Sequence, residues 1–302
     1  MCFSWSSTDW RVAHAMPSVP LSSEAFATAV LRVSRFDSRP VVVKLGGSAM
    51  EGQAATDACL RSVVALRTLG LPIVLVHGGG KPIDRAMAAA GLTPKKVAGR
   101  RYTDEATLQI VVRVLAEEIN LGIVRAIHDL QRSAQRETLA LFGERLTLPG
   151  PDGQPIDLGR VGTVTHMDTS RLWEAIDKGI IPVIPSLALA VDGGWLNVNA
   201  DTAASAVAGT LEARYAIFLT DTPGVLRDRS NSASLFPSLS REECRGLIAS
   251  GVIDGGMVPK VEACFEALDA GAEAALILDG RVPYSLLDVF LHDTFTGTTI
   301  TR

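Results

Sequence analysis

Pro40-Val41-Val42-Val43-Lys44-Leu45-Gly46-Gly47-Ser48 decides the fold class. Five apolar residues and a lysine run straight into a glycine pair. That is a short buried strand ending in a turn where the backbone lies bare. The helical pattern of 53–69 follows, then a second apolar run, PIVLVH at 72–77, which closes on His77-Gly78-Gly79-Gly80-Lys81. Strand, glycine turn, helix and strand again form one βαβ unit, whose two strands must lie parallel.

Working outward, the same alternation continues. IPVIPSLAL (181–189), YAIFLT (215–220) and AALILD (274–279) read as buried strands. Helical periods fill 82–90, 105–130, 169–178, 201–212, 241–250 and 259–270. The fold class is therefore α/β, a mainly parallel central sheet with helices on both faces. The stretch 133–165 departs from this pattern. Its weak alternation and the turn cluster Leu148-Pro149-Gly150-Pro151-Asp152-Gly153 predict a small antiparallel hairpin projecting from the sheet. Asp192-Gly193-Gly194 is a turn signal and a candidate lobe boundary near 192–198.

Composition narrows the function. The 302 residues are 47% hydrophobic, 21% charged and only 5% aromatic, so the core rests on aliphatic side chains suited to buried parallel strands. A net charge of -4 gives no electrostatic footprint for nucleic acid. Cysteines at 2, 59, 244 and 264 form no CxxC pair, and the histidines at 14, 77, 128, 166 and 292 form no metal-ligand motif. The cysteines read as reduced structural thiols. The first twenty residues show no basic segment followed by an apolar run, and 180–191 is too short and proline-broken to cross a bilayer. A cytoplasmic protein without a membrane partner, with residues 1–20 disordered, is expected.

Three glycine-rich turns mark where the chemistry sits: Lys44 to Ser48, His77 to Lys81, and Gly255-Gly256-Met257-Val258-Pro259-Lys260 at the start of a helix. Bare N–H groups and helix N-termini at a sheet's carboxyl edge favour anions. A tight connection accounts for any one such turn; three together suggest a phosphate crevice. Lys44 ends an apolar strand, where a lysine is costly without an anion. Lys260 stands in a helix's first turn, against the dipole. Asn197-Val198-Asn199-Ala200-Asp201-Thr202 places two asparagines on one side of an extended segment, with Asp201 as the expected N-cap. Thr220-Asp221-Thr222-Pro223-Gly224-Val225 closes a strand with a turn. Arg100 and Arg101 precede Thr103 or Asp104 as a cap, and arginine suits bidentate carboxylate binding. Neither a Walker A sequence nor the protein-kinase loop set is present.

In this order, the segments Lys44 to Met50, Val76 to Gly80, Gly99 to Asp104, Asn197 to Asp201, Thr220 to Val225, Gly255 to Lys260 and Asp279-Gly280-Arg281-Val282-Pro283 resemble the acetylglutamate branch of the amino-acid-kinase family, over about 38–300. The resemblance implies an open αβα sandwich with an acylamino-acid lobe (38–192) and an ATP lobe (193–302), behind a flexible N-terminus with a short assembly helix (1–37). It implies ATP and Mg²⁺ as cofactors and N-acetyl-L-glutamate as substrate. Lys44 and Lys260 would contact the transferred phosphoryl group, with Asp201 holding both. Gly46, Gly47, Gly78 and Gly79 would donate N–H groups to phosphate and substrate. Arg101, Asn197 and Asn199 would bind the acyl amino acid; Thr220, Asp221, Gly224, Val225, Gly256 and Met257 would border the nucleotide. An acetylated or carrier-linked aminoadipate as substrate, or a non-catalytic amino-acid sensor, are the alternatives.

The sequence departs from the family at 133–157, which lacks a glycine-rich LSGKDG-like stretch, at Lys81, at Asp288 and over Leu291 to Thr298. These bear on the substrate lid and on inhibition by L-arginine. Residues 22–36, capped by Ser22 or Ser23, place Phe26, Val30 and Val33 on one helical face. In arginine-inhibited members a similar helix links dimers into a hexamer, so a homo-oligomer is expected.

Overall fold

The computed structural model of the chain describes residues 22–47, 50, 52–130, 132–150 and 153–302. Expectations placed on 1–20, Ser48, Ala49, Pro151 and Asp152 lie outside the described residues. The first helix, α1 (Ser23–Val33), is capped by the Ser22 hydroxyl accepting from the Ala25 N–H at 3.0 Å. The founding unit is as read: β1 (Val41–Leu45), α2 (Gln53–Thr68) and β2 (Ile73–His77), the two strands parallel and in register from Val41↔Ile73 to Leu45↔His77. After β2 come α3 (Gly80–Ala89), the hairpin β3 (Lys96–Val97) and β4 (Arg100–Arg101), then α4 (Glu105–Val112). A π-helical turn, Arg113–Ile119, joins α4 to α5 (Asn120–Asp129).

The region 133–165 corrects the expectation of a projecting hairpin. Its first strand, β5 (Ala134–Arg136), joins the parallel sheet beside β10 (Ile181–Pro185). The remainder, β6 (Leu141–Arg145), the small pair β7 (Leu148–Pro149) and β8 (Pro155–Ile156), and β9 (Val161–Met167), leads back to α6 (Thr169–Asp177). Strands β6 and β9 do pair antiparallel, but they close into a four-stranded barrel with β11 (Leu187–Ala190) and β12 (Trp195–Val198). The apolar run 181–189 is therefore two strands in two sheets. Pro185 lacks the N–H a continuing ladder needs, and the chain changes sheet at Ser186. The Asp192-Gly193-Gly194 turn joins β11 to β12.

The second half adds α7 (Ala200–Thr210), β13 (Tyr215–Thr220), β14 (Ser238–Ser240), α8 (Arg241–Ala249), α9 (Val258–Ala270), β15 (Ala274–Asp279), α10 (Ser285–Leu291) and β16 (Thr298–Thr301). Neither β14, α10 nor β16 shows as a strong apolar run in the sequence. The main sheet has the order β14-β16-β15-β13-β1-β2-β10-β5. It is parallel from β15 to β5, with β16 antiparallel to β15 at one edge. Two apolar layers cover its faces. Val42, Val76 and Phe218 face the layer with Val207 of α7 and Ala267 of α9; Val43, Leu75 and Ile217 face the layer with Leu60 and Val63 of α2. The strand order reverses between β1 and β13: β1 leads on to β2 on one side, while β14, β15 and β16, which follow β13 in the chain, lie on the other. A ligand crevice belongs outside the carboxyl ends at that point.

Candidate active site

Outside those strand ends lies a crevice of about 290 Å³. It is lined by Lys44, Gly46, Gly47, Gly78, Gly79, Arg101, Asn197, Asn199 and Asp201, nine of the sixteen residues singled out from sequence. Lys44 is the penultimate residue of β1, 8% exposed, and its ammonium meets an Asp201 Oδ1 at 2.7 Å. A buried cation without this partner would be strongly destabilising.

Asp201 is free for that contact because it does not cap α7. The cap is Asn199, whose Oδ1 accepts from the N–H groups of Asp201 at 2.8 Å and Thr202 at 3.2 Å. The expected assignment is thus displaced by two residues, and Asp201 sits in the first turn of the helix, where a carboxylate is favoured. Asn197 donates through Nδ2 to the Thr103 hydroxyl at 3.1 Å. Asp104, not Thr103, caps α4, accepting from the Thr107 N–H at 2.8 Å.

The glycines differ in what they leave open. The N–H groups of Gly46 and Gly78 are already committed, to Leu219 O at 3.2 Å and Leu45 O at 3.3 Å. They stitch the strand ends together rather than offering donors. A Cβ on Gly47 would stand 3.7 Å from the Gly80 nitrogen and 3.8 Å from the Lys81 nitrogen, so its absence keeps the N-terminus of α3 accessible. A Cβ on Gly78 would lie 2.9 Å from Ala200 Cβ. That glycine lets the end of β2 approach the start of α7, and two helix N-termini converge on the crevice.

Arg101 is held before any ligand arrives. Its Nη1 pairs with Asp84 Oδ1 at 2.6 Å and its Nη2 donates to Gly80 O at 3.2 Å, with only 12% of the side chain exposed. A third contact goes from Nη1 to the Met87 sulfur at 3.2 Å. None of these contacts uses the Nε–H, which with Nη2 forms the edge that binds a carboxylate side-on. Sequence reasoning missed two polar lining residues, Lys96 and Ser186, and two apolar ones, Ile83 and Val161. A serine inside an apolar strand run was the available signal for Ser186; nothing local marks Lys96. With Lys44, Lys96, Arg100 and Arg101 against Asp201, the lining carries excess positive charge and suits a polyanion.

The other seven residues lie beside the crevice rather than in it. Thr220 ends β13, next to β1, and its hydroxyl donates to Asp221 Oδ1 at 3.0 Å. Burial pushes the Asp221 carboxyl up, but the Thr220 hydroxyl, its own N–H and the charges of Lys260 and Arg281 outweigh it and hold the group below the ordinary range. Gly224, at φ 141°, packs where a Cβ would stand 2.5 Å from Thr298 Oγ1. The Val225 N–H donates to that same hydroxyl at 2.8 Å, and its side chain is buried. Gly256 is open, and Met257 packs on the core at the start of α9. Lys260, in the first turn of α9, forms no ion pair within 4.0 Å among the described residues; the carboxylate that senses it is Asp221. Asp201 holds Lys44 but does not pair with Lys260. The two lysines are nevertheless tied together, because α9 lies along α7, with the Ser205 hydroxyl donating to Ala263 O at 2.8 Å.

The amino acid kinase family model matches residues 39–279. An acetylglutamate kinase of Azorhizobium caulinodans is 39% identical over 96% of this chain and 99% of its own length. One from Trichodesmium erythraeum is 38% identical over 97% of this chain and 98% of its own. Among solved structures, N-acetylglutamate synthase from Neisseria gonorrhoeae, complexed with coenzyme A and L-arginine, superposes with a TM-score of 0.78 at 23% identity. That match covers 93% of this chain and 66% of the other, which is longer, and shows a common fold.

Proposed function

The chain belongs to the amino acid kinase family, and on that premise we propose that it transfers the γ-phosphoryl group of ATP to the side-chain carboxylate of N-acetyl-L-glutamate, giving the acyl phosphate and ADP. The observation that carries the reading is the buried Lys44–Asp201 pair at the foot of a cationic crevice between two helix N-termini. The acceptor carboxylate is ionised at neutral pH, with a pKa of about 4.3 in its free form, so no general base is required. The work left to the protein is to bring two anions together and to stabilise charge spreading over the phosphoryl oxygens.

In this reading Lys44 and Lys260 both contact the transferred group, one buried and paired with Asp201 and one more open. Gly47, Gly79 and the first turn of α3 supply N–H donors. The free edge of Arg101 takes a substrate carboxylate, with Asn197 beside it, and Asn199 fixes the start of α7. Thr220, Asp221, Gly224, Val225, Gly256 and Met257 border the nucleotide. Among the described residues no group of three His, Cys, Asp or Glu side chains is placed to hold a metal. That is compatible with Mg²⁺ held chiefly by phosphate oxygens and water, with Asp221, held below the ordinary carboxylate range just after β13, a carboxylate that could face it. Bound there, the ion would neutralise phosphate charge.

We further place the enzyme in the cytoplasm, in arginine biosynthesis, as a homo-oligomer with the substrate lobe over 38–192 and the nucleotide lobe over 193–302. No helix among the described residues is long and apolar enough to cross a membrane. L-Arginine is the proposed inhibitor. A coupled assay of ADP release across a panel of acyl amino acids tests the substrate. ADP release independent of the acyl amino acid, or a preference for an acetylated aminoadipate, would sink the assignment.

A further inference from the structure

Behind the glycine turn lies a buried polar chain that the reaction as described does not use. His77, the last residue of β2, is fully buried. Its Nδ1 is 3.2 Å from the Gly78 carbonyl oxygen, and its Nε2 is 3.1 Å from Asn120 Nδ2. A carbonyl only accepts and an amide NH₂ only donates, so His77 must be the neutral Nδ1–H tautomer. Burial agrees, pushing the imidazole down to about 4.

Asn120 is itself held from three directions. Its Nδ2 also donates to Val183 O at 2.9 Å, and its Oδ1 accepts from Arg136 Nε at 3.3 Å. Arg136 reaches further, donating through Nη2 to Ala116 O at 2.5 Å, inside the π-helical turn. The guanidinium thus ties β5 to the π-helical turn. The same turn presses on the glycines from the other side. A Cβ on Gly79 would stand 2.8 Å from both Ile119 Cδ1 and Leu115 Cδ2.

The consequence follows from peptide planarity. In a trans peptide, C=O and N–H point in opposite directions. The Gly78 carbonyl is turned toward the buried imidazole, so the Gly79 N–H of the same peptide is turned away from it, toward the crevice that Gly79 lines. We propose that Arg136, Asn120 and His77 form a positioning relay that fixes the Gly78–Gly79 peptide and aims the Gly79 N–H at the anion in the crevice. The proposal rests on the kinase reading for the identity of that anion, the transferred phosphoryl group. The relay contacts no substrate and acts only through the peptide.

Two substitutions at His77 separate aim from packing. In His77→Asn the amide nitrogen occupies the Nδ1 position and keeps the donor to Gly78 O. In His77→Gln the amide lies at the Nε2 position and that donor is lost. His77→Gln is expected to lose roughly 10–100-fold in kcat, as for a misplaced transition-state donor, with KM for both substrates nearly unchanged. His77→Asn and Asn120→Leu each keep a donor to Gly78 O and break the link between positions 77 and 120, and both are expected to lose less, within about 10-fold. Equal losses in the two His77 variants, or losses that follow melting temperature, would overturn the relay. A separate readout does not need turnover: ¹⁵N NMR of imidazole-labelled full-length protein, with the His77 signals assigned by their absence in His77→Asn. A protonated Nδ1 with a bare Nε2 is expected. An Nε2–H tautomer would overturn the donor assignment even in an active enzyme. A wild type with the expected tautomer but no kinase activity would refute the kinase reading instead.

Discussion

Lys44 and Lys260 carry the same charge in different surroundings, and the difference sets what each substitution should do. Lys44 is buried against Asp201, so its loss disturbs folding as well as chemistry. Lys260 is half exposed and without an ion pair within 4.0 Å among the described residues, so its removal is the cleaner experiment. Lys260→Ala is expected to lower kcat by about 10²-fold, typical of a donor to a transition state, while ATP affinity changes much less. Near-normal turnover would remove Lys260 from the mechanism. Arg101→Ala should act differently. Losing a charge-assisted carboxylate contact of about 1.5–3 kcal/mol raises KM for the acyl amino acid roughly 10–100-fold and leaves kcat closer to normal. A fall in kcat with KM unchanged would show that Arg101 does not bind the ground-state carboxylate.

At the scale of elements, the packing of α7 against α9 decides whether Asp201 and Lys260 meet the same ligand. Gly209 is where the helices come closest: a Cβ there would stand 2.0 Å from Ala270 Cβ. Gly209 is the penultimate residue of α7, where replacing glycine by alanine would ordinarily gain up to about 0.5–1 kcal/mol. Gly209→Ala is expected instead to destabilise by about 1–3 kcal/mol, as overpacking does, and to lower kcat because the helices part. Urea denaturation together with a kinetic assay checks both; a stabilised, fully active variant would refute the close-contact argument. The same scale shows where the sequence could be read. The runs at 40–45, 72–77, 215–220 and 274–279 are buried on both faces, so their apolar continuity was visible without any partner. The glycine turns after them were visible for the same reason. The barrel was not: β6, β9, β11 and β12 close through contacts between segments far apart in the chain, and short mixed strands carry no period that announces closure. Asn199 was misjudged beside Asp201 because both residue types cap helices well. Only the backbone, extended at Asn199 with φ -61° and ψ 131°, tells them apart. His77, Asn120 and Arg136 were illegible as a set, since their meeting depends on a π-helical turn that periodicity cannot show.

For the whole molecule, the question is what α1 does. The sequence places Phe26, Val30 and Val33 on one face, and the structure divides that stripe. Val33 is buried in the chain's own core, while Phe26 is 55% exposed; Leu31, on another face of the helix, is 63% exposed. The C-terminal end of the helix is also tied down, with Arg32 pairing to Asp293 at 2.7 Å. The proposed assembly role needs an exposed apolar end on an anchored helix, and burying such side chains is worth about 25 cal/mol per Å². Between α1 and α10 lies a second cavity of about 220 Å³, lined by Arg32, Arg35, Phe36, Arg214, His292 and Asp293. Three arginines make it a poor host for a cation while Asp293 is paired with Arg32; if the proposed inhibitor L-arginine enters this cavity, that ion pair must open. Deleting residues 1–37 is expected to give a smaller oligomer, a dimer, that keeps its activity and does not respond to arginine. Light scattering on the full-length and truncated proteins measures the first effect, and a titration of activity with arginine the second. Equal masses would show that α1 does not assemble the protein. A smaller truncated oligomer that still responds to arginine would place the inhibitor away from the cavity beside α1 while leaving the assembly role intact.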